Sequence, residues 1–407
     1  MATVTLAGMG MIARRSGMLA GMILLTLALA SCGEGEEMRL FSKLIFLPRS
    51  SGDYDIRLRT SDDRNPVELG RVLPWDSQPS WSPDGRRIVF YSDRKFNLPD
   101  RDDNVDIYVT SSDGSDLTRL TDDAASDAFP YWSPDGRRIA FYSERDGDGD
   151  IYLMNADGAE VVQITDDPAL DIPYGWSPDG ERLLLASGRS GNLDLYTVET
   201  DGGGLKRLTD MEGHDVGARW SPDGSRIAFE STTHRNAEVF VVDADGSDLV
   251  NVTVRPLRDA YPVWSPDAVR LAFVSDRTAD PNVYVLDTNY SFLTEITNVA
   301  REDAWPAWSP DGARIAFVSN RDFNREVYIA NADGTGELRL TYNPEPDLSP
   351  AWSPDGSHIA FTGFRDGRRD VYVIEADGSG IVRLTNDDGQ SASAAGEQGE
   401  GDNDGQR

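Results

Sequence analysis

Beyond residue 40 the apolar positions come in short runs, rich in β-branched and aromatic side chains and separated by polar turns that close on Gly. The stretch from Pro130 shows the unit. Pro130 to Ser133 reads as a first strand, A, followed by the turn Ser133-Pro134-Asp135-Gly136. Proline presets φ in such a turn and glycine accepts the left-handed conformation that closes it. Arg138 to Tyr142 reads as strand B, Asp150 to Met154 as C, and Val161 to Thr165 as D, with Asn155-Ala156-Asp157-Gly158 as the C–D turn. Strands B and C are apolar on both faces, so they must be covered on both sides. No stretch after residue 40 carries an amphipathic helical period.

The unit repeats. Trp-Ser-Pro-Asp begins at Trp81, Trp132, Trp176, Trp220, Trp264, Trp308 and Trp352, with spacings of 51 and then 44 five times. The first unit carries extra residues around Asn97 to Asn104, and the fifth reads Asp267-Ala268 where the others read Asp-Gly. Four antiparallel strands per repeat are the signature of a β-propeller blade, so the fold class expected is all-β, a propeller of four-stranded antiparallel blades. Upstream, Lys43 to Leu47 resembles strand B, Asp55 to Arg59 strand C and Val67 to Gly70 strand D. With these the count predicts eight blades, the first lacking a recognisable strand A. Seven blades is the alternative.

The ends read differently. Residues 1–31 contain no acidic residue, and Gly17 to Ala30 is apolar after Arg14 and Arg15. An apolar run of that length is too short to span a bilayer and fits an export signal. Residues 32–39 form a short tether, 40–386 the propeller, and 387–407 an acidic, low-complexity tail without aromatics, expected to be disordered. Against 39 Lys and Arg stand 70 Asp and Glu, a net charge of −31. Such a surface repels nucleic-acid phosphate, so no nucleic acid is expected as partner. The single cysteine excludes a disulfide framework.

Two resemblances add to this. Leu29-Ala30-Ser31-Cys32 resembles the bacterial lipobox, which implies cleavage before Cys32 and acylation of its sulfur. Residue 33 is Gly, not the Asp that favours inner-membrane retention, so the resemblance points to the periplasmic side or the outer membrane. The repeat itself, Trp132 to Phe141 (WSPDGRRIAF), Asp150 to Gly158 (DIYLMNADG) and Leu208-Thr209, resembles the WD-like repeat of the TolB-like β-propeller family. The match covers roughly residues 40–386, without the α/β domain that precedes the family's typical propeller. The resemblance implies an exported binding platform for an envelope protein or peptidoglycan-associated partner, with no cofactor and acting as a monomer. The same repeat also occurs in propellers attached to serine peptidases and in oligogalacturonate lyases.

Within the repeat, the A–B and C–D turns are uniform and share one face. The B–C and D–A loops vary and share the other, where binding residues on a rigid scaffold concentrate. Five residues before each Trp lies Asp76, Asp127, Asp171, Asp215, Asp259, Asp303 or Asp347, a candidate binding ring at the channel mouth. Thirteen after it lies Arg94, Arg145, Arg189, Arg277, Arg321 or Arg365, with Thr233 in the fourth copy. These Asp and Arg can pair with each other, or the ring can attract a cation or a basic segment. His214 and His234 share that face, whereas His358 lies near the opposite one. Asp146, Asp148 and Asp150 alternate with Gly as some calcium loops do, without the bidentate Glu of an EF-hand. No nucleophile elbow or phosphate-binding Gly loop is present, so a non-enzyme is expected. The alternatives are a metal-dependent lyase of acidic polysaccharide, which needs a basic cleft, and a sensory propeller for a small ligand.

Overall fold

The computed structural model describes strands Leu44–Pro48, Tyr54–Leu58 and Val67–Glu68, and residues 76–385 apart from 94–103, 234–235, 255–256, 279, 288–291, 300 and 366–367. The export signal, Cys32, the tether and the acidic tail lie outside the described residues. The chain divides into two units, Met1–Val72 and Leu73–Arg407. In the first, the three strands pair in sequence order as one antiparallel sheet.

The second unit is a ring of seven blades, each an antiparallel sheet in the order A-B-C-D. Strands A are Asp76–Trp81, Asp127–Trp132, Asp171–Trp176, Asp215–Trp220, Asp259–Trp264, Asp303–Trp308 and Asp347–Trp352. Each packs beside the next, and the last meets the first, so A is the innermost strand. In blade 2, B is Arg138–Ser143, C is Asp150–Asn155 and D is Val162–Gln163, close to the boundaries expected from the apolar pattern. Strand A begins earlier than expected, at the Asp. Its bulge, between Ala128 and Tyr131, breaks the alternation that marked the pattern's edge.

The expectation of eight blades is therefore corrected to seven. Trp81 of blade 1 donates its Nε1–H to Ala351 O of blade 7 at 3.1 Å. The same bond runs from Trp352 to Ala307 O at 3.1 Å and from Trp176 to Tyr131 O at 3.0 Å. Ile88, Phe90 and Tyr108 of blade 1 share a core with Ala360, Val371 and Val373 of blade 7. The physical reason lies in strand A. Its Trp wedges into the preceding blade, and the wedge of blade 1, Trp81, is received by blade 7, so the ring closes on itself after seven blades. All four strands of every blade are consecutive in sequence, so no strand is exchanged between the ends and side chains alone close the ring.

The Trp wedges are capped from the face of the tight turns. The Arg that opens strand B of one blade lies over the Trp of the next: Arg87 over Trp132 at 4.6 Å, Arg138 over Trp176 at 4.9 Å, Arg270 over Trp308 at 4.6 Å. At the closing seam the corresponding residue is His358, whose Nδ1 meets Ser357 Oγ at 2.6 Å. His358 thus lies on the face opposite the variable loops, as expected.

The tight A–B turn also explains its residues. Ser133 Oγ donates to Asp135 Oδ1 at 2.6 Å, and the Asp accepts the Arg137 N–H at 3.0 Å. Those bonds hold the Asp135 carboxyl below the usual carboxylate range. The fifth turn places Ala268 at φ 59°, where its counterparts are glycines, such as Gly224 at 71° and Gly312 at 66°. A left-handed non-glycine residue costs roughly 1–2 kcal/mol. Ala268→Gly should raise stability by about 0.5–1 kcal/mol, offset in part by greater unfolded-state entropy. Chemical denaturation checks it; an unchanged midpoint would mean the turn carries no strain.

Candidate functional site

Each ring Asp opens the innermost strand, and the six whose side chains are described do not face solvent. Asp127, Asp171, Asp215, Asp259, Asp303 and Asp347 are 0% exposed. The side chain of Asp76 and the whole of Arg94 lie outside the described residues. In five blades the recurrent Arg clamps the Asp of its own blade. Arg145 Nη2 lies 3.1 Å from both oxygens of Asp127. Arg189 lies 2.7 Å from Asp171, Arg277 3.1 Å from Asp259 and Arg321 3.2 Å from Asp303. Arg365 holds Asp347 through two nitrogens, at 2.6 and 3.0 Å. In four of these blades the Arg Nε donates to the Ser that ends strand B, as Arg277 does to Ser275 at 2.7 Å. The guanidinium also lies over a core ring, 4.6 Å from Tyr284 for Arg277 and 4.6 Å from Tyr328 for Arg321. Burial raises these carboxyls above the usual range against the pull of Ser and Arg, and Asp347 is pushed up to about 6.

A second set of buried polar residues continues this belt across the seams and was not singled out in the sequence. It opens strand C in six blades, at Asp106, Asp150, Asp194, Glu238, Asn282 and Glu326, and lies two residues inside the longer strand C of blade 7 at Asp370. A strand-D residue answers it, Arg119 to Asp106 at 2.7 Å, Arg207 to Asp194 at 2.7 Å, Arg339 to Glu326 at 3.1 Å and Arg383 to Asp370 at 2.7 Å. In blade 2 the partner is uncharged, Gln163 at 3.3 Å from Asp150. The Thr after strand D links the layers: Thr165 Oγ1 donates to Asp150 Oδ1 at 2.8 Å and accepts the Ile151 N–H at 3.0 Å. It also acts on Asp171 of the next blade. The 44-residue spacing of these positions was the available signal; charge on an otherwise apolar strand conceals it.

Asp146, Asp148 and Asp150 do come together, with ligand oxygens within 4.8 Å of one another. Asp150 is the belt residue, pushed up to about 6 by burial first and then by Asp146. His214 uses Nδ1 to accept the Leu193 N–H at 3.1 Å, and His234 lies outside the described residues.

Blade 4 departs from its sisters. Thr233 replaces the Arg, and the carboxylate oxygens of Asp215 make no hydrogen bond of regular geometry, with only the Thr209 and Ser231 hydroxyls close by. Burial pushes Asp215 up to about 6, with Asp194 adding to the effect and Thr209, Ser231 and His214 opposing it. A raised carboxyl contributes stability that is present below its unfolded pKa near 3.8 and is lost as pH rises through about 6. In metal-free buffer, melting temperatures from pH 5 to 7.5 should fall more steeply for wild type than for Asp215→Asn. Parallel curves would place the titration elsewhere.

The channel wall is more varied than the belt. At the third position of strand A the backbone bulges into the left-handed region at Gln78, Phe129, Gly217, Tyr261, Trp305 and Ser349, with φ from 51° to 64°. Bulky residues seldom hold this conformation, and strain of this kind clusters at binding sites. Tyr261 and Trp305 have centroids 6.2 Å apart. Arg258 lies 5.2 Å over Tyr261, Arg325 lies 5.6 Å over Trp305, and Arg325 pairs with Glu302 at 3.2 Å. Next to them, Glu230 accepts the Tyr261 N–H at 2.8 Å; burial raises its carboxyl, opposed by Arg258 and Arg219. A Cβ on Gly217 would sit 3.1 Å from Glu230 Oε1, so the glycine leaves that carboxylate room. Aromatic rings capped by arginines beside a carboxylate form an inner rim suited to recognition.

Comparison with known proteins fits this architecture. Residues 170–261 and 260–402 match the TolB beta propeller domain, and residues 102–193 match the Tricorn protease N-terminal beta propeller domain. A Bacillus subtilis relative, the uncharacterized peptidase YuxL, is 35% identical over 79 residues, 18% of this chain; the chain thus spans only 11% of that relative's length. Among solved structures, the β-propeller domain of the Trilobed protease from Pyrococcus furiosus, described as having an open velcro topology, superposes with a TM-score of 0.58. It is 14% identical, covering 78% of this chain and 97% of that one. An oligogalacturonate lyase from Vibrio parahaemolyticus superposes with a TM-score of 0.55, 17% identical over 78% of this chain and 87% of its own. At these identities the likeness concerns the fold alone.

Proposed function

The chain belongs to the TolB β-propeller domain family, and we propose that it is a non-catalytic binding platform of the bacterial cell envelope, held at a membrane by acyl chains on Cys32. The observation that carries this reading is the inner rim. Tyr261 and Trp305, each in a strained backbone conformation and each capped by an Arg, present the aromatic-and-Arg chemistry that dominates protein interfaces. The conspicuous carboxylates, in contrast, are spent inside the belt, where they fix the blades rather than meet a substrate. A net charge of −31 favours a partner that presents a basic segment, such as an envelope protein or a peptidoglycan-associated one, to the variable-loop face.

The test is capture from an envelope extract by the lipidated protein, followed by affinity measurement on the captured partner. Tyr261→Ala combined with Trp305→Ala should weaken binding by at least about tenfold, the scale of an interface hot spot, without lowering the melting temperature by more than a few degrees. Wild-type affinity should also fall as salt rises. Equal affinity of wild type and variant would move the site off the rim. Cleavage of an acidic oligosaccharide by the wild-type protein would overturn the non-catalytic reading. Mass spectrometry should find acyl chains on Cys32, lost in Cys32→Ser; an unmodified thiol would remove the anchor.

A further inference from the structure

Of the six ring Asp whose side chains are described, five are clamped by an Arg of their own blade and one, Asp215, is not. At the blade 1–2 seam Asp106 and Asp127 meet Arg119 and Arg145, and at the blade 6–7 seam Glu326 and Asp347 meet Arg339 and Arg365. At the blade 3–4 seam Arg207 pairs with Asp194 and is shared with Asp210 at 2.5 Å, and among the described residues no cation pairs with Asp215. Asp215 is 0% exposed and both its oxygens lack a hydrogen bond of regular geometry, as does Oδ1 of the equally buried Asp194. An uncompensated buried carboxylate is among the most costly arrangements a protein can hold.

What surrounds Asp215 is oxygen. Thr209 and Ser231 act on its carboxylate, as their counterparts do in other blades. Ser231 Oγ lies 3.0 Å from Thr233 Oγ1, the residue standing where the sister blades carry Arg. The loops above are drawn together: the His214 N–H donates to Thr232 Oγ1 at 2.9 Å and the Thr232 N–H to His214 O at 3.1 Å. A Cβ on Gly213 would lie 2.3 Å from Thr233 N, so only glycine permits this approach.

We propose that Asp215 is the anchoring ligand of a buried metal cation of the calcium class, which neutralises the blade 3–4 seam as a guanidinium does in the sister blades. Both Asp215 oxygens and the hydroxyls of Thr209 and Ser231 beside them, with Thr233 Oγ1 next to Ser231 and the Asp194 carboxylate facing the same seam, are hard oxygen donors of the kind such an ion takes. Calcium here is structural. It locks the two loops of blade 4 beside the rim carrying Glu230, and it is distinct from the Asp146–Asp148 pair of blade 2.

The experiment compares full-length protein, chelated and then titrated with Ca²⁺ at pH 7.5, by calorimetry and thermal melting. Wild type should bind one Ca²⁺ per chain and melt several degrees higher with it. Asp215→Asn should neither bind nor respond. Thr233→Arg should supply the missing cation itself: no Ca²⁺ response, and a midpoint in chelator at least that of Ca²⁺-loaded wild type. Asp148→Asn should keep wild-type binding. The proposal is overturned if wild type binds no Ca²⁺ and its melting ignores chelator, if Asp215→Asn retains the site, or if Asp148→Asn loses it. Should Asp215→Asn fail to fold, Thr233→Arg decides alone, since a retained Ca²⁺ response there would exclude the Asp215 site.

Discussion

Trp176→Ala should lower the stability of the ring by about 3–5 kcal/mol, the usual cost of truncating a buried Trp. Trp176 is 8% exposed and packs in one cluster with Ala140, Ile151, Leu153 and Ile164 of blade 2 and Leu183, Leu185 and Tyr196 of its own blade. Its N–H reaches Tyr131 O across the seam, and Arg138 lies on its outer face. Truncation thus opens a cavity between two blades, leaves a backbone carbonyl without its donor and removes a cation–π contact, all at one seam. The inner rim of blades 5 and 6 is untouched, so the folded fraction should keep its partner affinity. Denaturant melts with a reporter of blade packing check this. A midpoint within experimental error of wild type would mean that the seams tolerate loss of a wedge, and the argument for seven blades from Trp81 would weaken with it.

Arg277→Ala should cost a similar amount, about 3–5 kcal/mol, because it leaves Asp259 charged, wholly buried and unpaired. The loss has three parts: the ion pair, the bond from Nε to Ser275, and the stacking on Phe273 and Tyr284. Neutralising the stranded group should return part of it. Arg277→Ala with Asp259→Asn is therefore expected to be more stable than Arg277→Ala alone, a coupling readable as a double-mutant cycle. Additive losses would show that the clamp contributes through packing and not through charge. Blade 4, where Thr233 and Asp215 already stand in the truncated arrangement, is the natural counterpart of this variant.

The blades were legible in the sequence because the information for them is local. Alternating runs, Pro-Asp-Gly turns and a repeat of 44 residues specify strands and turns within one unit, and Arg138–Ser143 and Asp150–Asn155 fall nearly where the apolar pattern put them. Pairing of the ring Asp with Arg was likewise readable as one of two options, since both recur at constant offsets. The second carboxylate layer was not, because Asp106, Asp194 and Glu326 open strands that run on into apolar residues, and only their partners one strand away reveal why a charge is tolerated there. The rim was missed for a related reason: Tyr261 and Trp305 look like ordinary strand aromatics until a bulge turns their backbone toward the channel.

Blade geometry, turn chemistry and the two faces of the ring thus follow from residues close together in the chain. Blade number does not. It depends on whether Trp81 meets Ala351, a contact between residues 270 positions apart, and repeat counting carries no term for that seam. The local environment of each carboxylate is equally non-local, because burial and counter-charge come from the adjacent strand or the adjacent blade. Thr233 in place of Arg marks the fourth copy in the sequence, but only the packed seam shows that Asp347 is held by a bidentate Arg while Asp215 is buried without one.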